Sequence, residues 1–143
     1  MPFVRRFAVV LMGTACGAWA SAQPAAEPPV FTAEQASAGK TAFQAHCAAC
    51  HAGDLRGKDD APALKGDAFL ATWQAKPVKE LFDFVRTTMP PEGGSISADD
   101  YLAIVAYALQ ENGATAGTQP LTPTTSTLIS AVLSRPKPQF VRD

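Results

Sequence analysis

The pentapeptide Cys47-Ala48-Ala49-Cys50-His51 constrains this chain more than any other stretch. Two thiols three residues apart fall on one side of a short helical turn, and an imidazole follows at once. At that spacing the thiols can add to the two vinyl groups of a porphyrin, while the histidine takes the iron from the proximal side. A thioredoxin-type C-x-x-C would want a βαβ context, whereas the flanks here are alanine-rich and helical. A zinc site would need four ligands. The remaining candidates do not supply them: His46 is beside Cys47, and Cys16 lies in a stretch expected to be removed. The motif therefore reads as the attachment site of one covalent haem c, held through Cys47 and Cys50, with His51 as an iron ligand.

Residues 1–22 read as a secretory signal. Arg5 and Arg6 form a positive start, an apolar stretch runs from Phe7 towards Trp19, and Ala20-Ser21-Ala22 offers a cleavage site after Ala22. Ala18-Trp19-Ala20 is a less favoured second site, and a retained N-terminal anchor is the alternative. The stretch is short and weakly hydrophobic for a membrane span. Export would place the protein in the periplasm. Cleavage would leave 121 of the 143 residues, with Cys47 and Cys50 as the only thiols and Met89 as the only thioether. No thiol would then be free for a structural disulfide. The whole chain carries a net charge of −1, which gives no footprint for nucleic acid or an anionic membrane surface. Seven of its 12 prolines fall within residues 24–29 and 120–138, so the globular part is shorter than the chain. The expected division is a signal at 1–22, a flexible Ala/Pro/Glu leader at 23–30, a haem domain at 31–113 and a Thr/Pro-rich extension at 114–143.

Within the domain, Thr32-Ala33-Glu34-Gln35 is a capping box that predicts a helix to about Ala45. Gly39 inside it costs about 1 kcal/mol relative to Ala, a cost that close approach of another helix would explain. After His51 comes a loop rich in Gly, Asp and Lys, ending in Pro62-Ala63-Leu64-Lys65-Gly66. Either this is a plain surface turn, or the Pro62 carbonyl accepts the Nδ1–H of His51 and orients the ligand, with Leu64 pressing on the haem. Asp67 is the candidate cap of a short helix from Ala68 to Gln74. Trp73 within it is either core or a donor to a haem propionate, a group that Arg56 could also serve.

From Pro77 the spacing of Val78, Leu81, Phe82 and Val85 predicts an amphipathic helix. It must end at or before Met89, because the residue before a proline avoids helical geometry. Met89, stiffened by Pro90 and Pro91, is the candidate sixth ligand. A lone methionine is more often core filler, but no other soft donor is left on the distal side. Ser97-Ala98-Asp99-Asp100 opens the last helix, whose Tyr101, Ile104, Val105, Ala108 and Leu109 form an apolar stripe widened by Tyr107. Asn112-Gly113 closes it. Beyond lie a Thr/Pro/Gly-rich linker to Ser126 and an apolar run, Leu128 to Leu133, expected to fold back on the domain.

Taken together, these residues resemble class I cytochromes c over about residues 36–113. The resemblance rests on Gly39, Phe43, Cys47-Cys50-His51, Pro62 to Gly66, Trp73, Met89-Pro90-Pro91 and Ile104 to Tyr107. It implies an all-α cytochrome c fold: three to four helices wrapped around one covalently bound haem, with flexible N- and C-terminal extensions. It also implies that the first and last helices cross near Gly39 with their aromatics packed there, that the Pro62 carbonyl bonds His51, and that Met89 is the sixth ligand. Ala61 departs from the glycine often found before the proline. More narrowly, Trp73, the run Leu81 to Pro91 and Tyr101 to Tyr107 resemble the cytochrome c domains of quinoprotein alcohol dehydrogenases.

With the iron closed by His51 and Met89 there is no open position for substrate. The expectation is a soluble periplasmic carrier of single electrons, not an enzyme in itself. Its partners would be a quinoprotein dehydrogenase as donor and an oxidase or another cytochrome as acceptor. The alternative is a haem enzyme or gas sensor with an open distal site.

Overall fold

The computed structural model describes residues 30–91 and 96–133. The signal and most of the leader lie outside the described residues, as do residues 134–143. Among the described residues six helices follow one another: α1 Ala33–His46, α2 Ala48–His51, α3 Asp67–Trp73, α4 Val78–Thr88, α5 Ala98–Glu111 and α6 Ile129–Leu133. Among the described residues there is no β-strand, only isolated bridges. No described helix is long and apolar enough to cross a membrane.

The boundaries follow local chemistry. The Thr32 hydroxyl accepts from the Gln35 amide at 3.1 Å, and the Ser97 hydroxyl accepts from the Asp100 amide at 3.1 Å, so α1 and α5 start on side-chain caps. Gly66, with φ +75°, precedes α3, and Asp67 is its first residue. Pro77 stands at the N-cap of α4, one residue outside the helix. Helix α4 stops at Thr88, and Met89 is already extended (φ −126°, ψ 138°), as its following proline requires.

Helix α5 is the axis of the fold. Every residue from Tyr101 to Leu109 is buried, so the helix is covered on all sides. Helix α1 crosses it with its Ala36, Gly39, Ala42 and Phe43 face. A Cβ built on Gly39 would lie 1.8 Å from the Ala103 carbonyl oxygen, so backbone meets backbone at this crossing. Phe43 and Tyr107 pack beside it, ring centroids 5.7 Å apart. Helix α4 adds Val78, Leu81 and Phe82 to the core.

Residues 114–126, expected to be a linker, are laid on the domain instead, and the run from Leu128 to Leu133, expected to fold back, packs there through Ile129 and Val132. Ala114, Leu121, Ile129 and Val132 are buried in the same core cluster as Phe31, Val78 and Leu109. The Gln35 side chain explains part of this. It does not complete a capping box but makes two hydrogen bonds to the Leu121 backbone, donating to its carbonyl at 3.0 Å and accepting from its amide at 2.7 Å. The Gly117 amide donates to the Phe31 carbonyl at 2.8 Å. Apolar side chains spaced along a polar segment supply the burial that holds it down.

Candidate functional site

Helix α1 ends one residue before the motif. The Cys47 amide still bonds the Phe43 carbonyl, and the Cys50 and His51 amides then turn back onto the Cys47 carbonyl at 3.2 and 2.9 Å. This single turn carries both thiols and the imidazole. Cys47 is half-buried and Cys50 exposed; burial, and after it the neighbouring Cys50, push the Cys47 thiol above its ordinary pKa. His51 is buried.

The loop after His51 folds back under it. Gly57 donates to the His51 carbonyl at 3.0 Å, and Leu64 donates to the carbonyl of the buried Leu55 at 2.8 Å. Gly57 (φ +78°) cannot be replaced without cost, because a Cβ there would meet the Ala61 carbonyl oxygen at 2.5 Å. The result is a contact of 2.9 Å between His51 Nδ1 and the Pro62 carbonyl oxygen. A carbonyl only accepts, so this contact fixes the proton on Nδ1 and leaves Nε2 with its lone pair.

Sequence reasoning missed the clamp that holds this loop from the other side. Asn112, at the end of α5, accepts from the Gly66 amide at 2.9 Å and donates to the Leu64 and Ala108 carbonyls at 3.0 and 2.8 Å. Lys65 pairs with Glu111 at 3.7 Å. It also missed a second tie, from the Tyr101 hydroxyl to the Met89 carbonyl. Asn at a helix end and Tyr in a buried stripe were both visible, but their partners are loop carbonyls that no pattern marks.

These elements enclose a cavity of about 360 Å³. Cys47, Cys50, His51, Pro62, Leu64, Trp73 and Met89 all line it. The structure thus brings together seven of the eight residues singled out from sequence. The eighth, Arg56, does not line the cavity; its guanidinium pairs with Asp54 at 3.2 Å and its side chain is 78% exposed. His46 lines the cavity too. Most of the remaining wall is apolar: Phe43 and Ile104 from the α1–α5 side, Phe69 from α3, Leu81, Phe84 and Val85 from α4. Trp73 and Phe84 pack tilted, centroids 5.3 Å apart, and the Trp73 indole N–H has no partner among the described residues.

The residues present fit a covalently attached haem. Two thiols stand on one turn, an imidazole has its outer nitrogen already committed, a thioether lines the same cavity, and the walls are largely apolar. No cluster of three or more His, Cys, Asp or Glu suited to a bare metal ion occurs among the described residues.

Comparison with known proteins gives the family. A family model described as cytochrome c oxidase, cbb3-type, subunit III matches residues 34–107, from the start of α1 into the second half of α5. Cytochrome c6 from Picosynechococcus sp. is 36% identical over 88 residues, covering 55% of this chain and 74% of that protein. Among solved structures, the sulfane dehydrogenase SoxCD from Paracoccus pantotrophus matches with a TM-score of 0.46 and 28% identity. That alignment covers 55% of this chain and 43% of the other.

Proposed function

The chain belongs to the class I cytochromes c, and from that premise we propose that it is a periplasmic carrier whose iron is closed by His51 and Met89. It is an electron-transfer cytochrome with covalently attached haem c. The haem, when bound, supplies a one-electron Fe(II)/Fe(III) couple. The observation that carries the finer reading is the 2.9 Å contact between His51 Nδ1 and the Pro62 carbonyl, in the wall of a cavity that Met89 also lines.

Each residue has a role in this proposal. Cys47 and Cys50 hold the group as thioethers. Pro62 commits Nδ1 of His51 and leaves Nε2 as the ligating nitrogen. Met89 offers a soft, neutral sulfur, which favours the reduced state and sets a high potential. Phe69, Leu81 and Val85 keep water from the site and keep the dielectric low, while Leu64 and Trp73 close its edge. Arg56 has no role in this version of the site.

The proposed donor is a quinoprotein dehydrogenase, on the likeness of Leu81 to Pro91 to its cytochrome partners. The proposed acceptor is a terminal oxidase or another cytochrome, and the matching family's description as an oxidase subunit supports the oxidase.

Met89→Ala tests the closed iron. It should abolish the weak far-red sulfur-to-iron band of the ferric protein, lower the reduction potential and give fast carbon monoxide binding. An unchanged band and potential would mean that Met89 is not the ligand. For the donor, a quinoprotein alcohol dehydrogenase from the same source should reduce this protein faster than an unrelated dehydrogenase does. Equal rates would remove that partner and leave the carrier.

A further inference from the structure

Helix α4 begins without a side-chain cap. The first amides of a helix have no partner within it, and a Ser, Thr, Asp or Asn side chain usually supplies one. Pro77 stands at that position and has no such group. The missing acceptors come from nearly fifty residues further along the chain: Val78 donates to the Thr127 carbonyl at 2.9 Å and Lys79 to the Thr125 carbonyl at 2.8 Å. The same segment donates in return. The Ile129 amide meets the Lys76 carbonyl and the Ser130 amide meets the Gln74 carbonyl, both at 2.9 Å. Four backbone hydrogen bonds therefore join residues 125–130 to the turn between α3 and α4 and to the first two residues of α4. Buried Ile129 and Val132 hold the segment in place, in one cluster with Val78, Leu81 and Phe82.

This segment lies outside the stretch matched by the family, which ends at Tyr107. Helix α4 has only eleven residues, a length that is marginal without tertiary support. Its inner face supplies Leu81 and Val85 to the cavity, and its end carries Met89, whose amide bonds the Val85 carbonyl at 2.9 Å.

We propose that residues 125–133 are a strap that caps α4 in place of a side chain and so positions Met89 at the iron. The proposal rests on reading Met89 as the ligand. The chain just before the strap has its own, separate attachment, where Leu121 meets Gln35 of α1. That attachment provides a control, because α1 carries no part of the methionine side.

The experiment compares full-length holoprotein variants. Ile129→Ala loosens the strap at α4, and Ile129→Val does so more mildly should the first fail to fold. Gln35→Ala loosens only the preceding segment, at α1. Two readouts are taken on each variant: amide hydrogen exchange at Val78 and Lys79, and the rate of carbon monoxide binding to the ferrous protein, which requires the methionine to leave. In the Ile129 variants both should rise, by about fivefold for the alanine change, the factor expected when a helix loses one cap. In Gln35→Ala neither should move, even though its thermal midpoint falls. Unchanged exchange at Val78 and Lys79 in the Ile129 variants, or an equal rise in carbon monoxide binding in Gln35→Ala, would overturn the proposal. Met89→Ala separates the two readings. If it fails to speed carbon monoxide binding, the ligand assignment is wrong, and the exchange data alone still decide whether the strap caps α4.

Discussion

Replacing Gly39 by alanine is the sharpest test of the helix crossing. Away from tertiary contact, the change would stabilise α1 by about 1 kcal/mol, because glycine is the poorer helix former. In this structure the new methyl would sit 1.8 Å from the Ala103 carbonyl oxygen, 2.3 Å from its carbon and 3.0 Å from the Ile104 nitrogen. All three are backbone atoms of a helix buried on every side, so no flexible side chain can swing away. Ordinary contact begins at 3.4 Å, so α1 and α5 must part by about 1.6 Å. A gap of even 0.5–1 Å forfeits a quarter to a half of each dispersion contact. Phe43 against Tyr107, and Ala36 and Ala42 against α5, would all feel the separation. Overpacking costs about 1–3 kcal/mol where neighbours can adjust. Here they cannot, so the upper end applies, and the expected net loss is about 3 kcal/mol. For a domain of this size that lowers Tm by roughly 12–24 °C. Thermal unfolding of the holoprotein by circular dichroism measures it, with the exposed Lys40→Ala as a control for helix propensity. A Gly39→Ala protein as stable as wild type, or more stable, would refute the close crossing.

Asn112→Ala removes one acceptor and two donors from the Leu64–Gly66 loop and should cost about 1–3 kcal/mol in denaturant unfolding; a loss no larger than that of an exposed control would show that the clamp contributes nothing. Burial, and after it the Glu111 carboxylate, raise the Tyr107 phenol above its ordinary value of 10.0. As pH climbs the unfolded chain releases that proton first, so this contribution to stability is complete below about pH 10 and is lost above it. Tyr107→Phe should flatten the alkaline fall in stability, and parallel curves for the two proteins would contradict the assignment. Arg56→Ala should change stability by no more than about 0.5 kcal/mol and leave the reduction potential where it was, since the side chain is exposed and off the cavity. A shifted potential would return Arg56 to the site.

Signals of short range in the chain carried most of the fold and the core of the site. Thr32 and Ser97 cap their helices because a hydroxyl three residues from an amide is a local arrangement, and Met89 leaves α4 because Pro90 follows it. Cys47, Cys50 and His51 share one turn by spacing alone, and the unbroken apolar run of α5 announced its burial. Sequence could place Pro62 and Leu64 near His51, while only the folded loop set the 2.9 Å contact of the Pro62 carbonyl. What tertiary structure alone decided involves partners far apart in sequence, often backbone groups that every residue possesses. The Gln35 amide looked like half of a capping box and went to Leu121, 86 residues away. Asn112 reached Gly66 across 46 residues. Arg56 carried the right charge for a propionate but sits on a part of the loop that faces solvent beside Asp54. The Thr/Pro-rich segment had the composition of a linker, yet a few buried side chains and four backbone hydrogen bonds fasten it to α4. Composition records average hydrophobicity, whereas docking depends on whether Leu121, Ile129 and Val132 find room in a core that other elements have built.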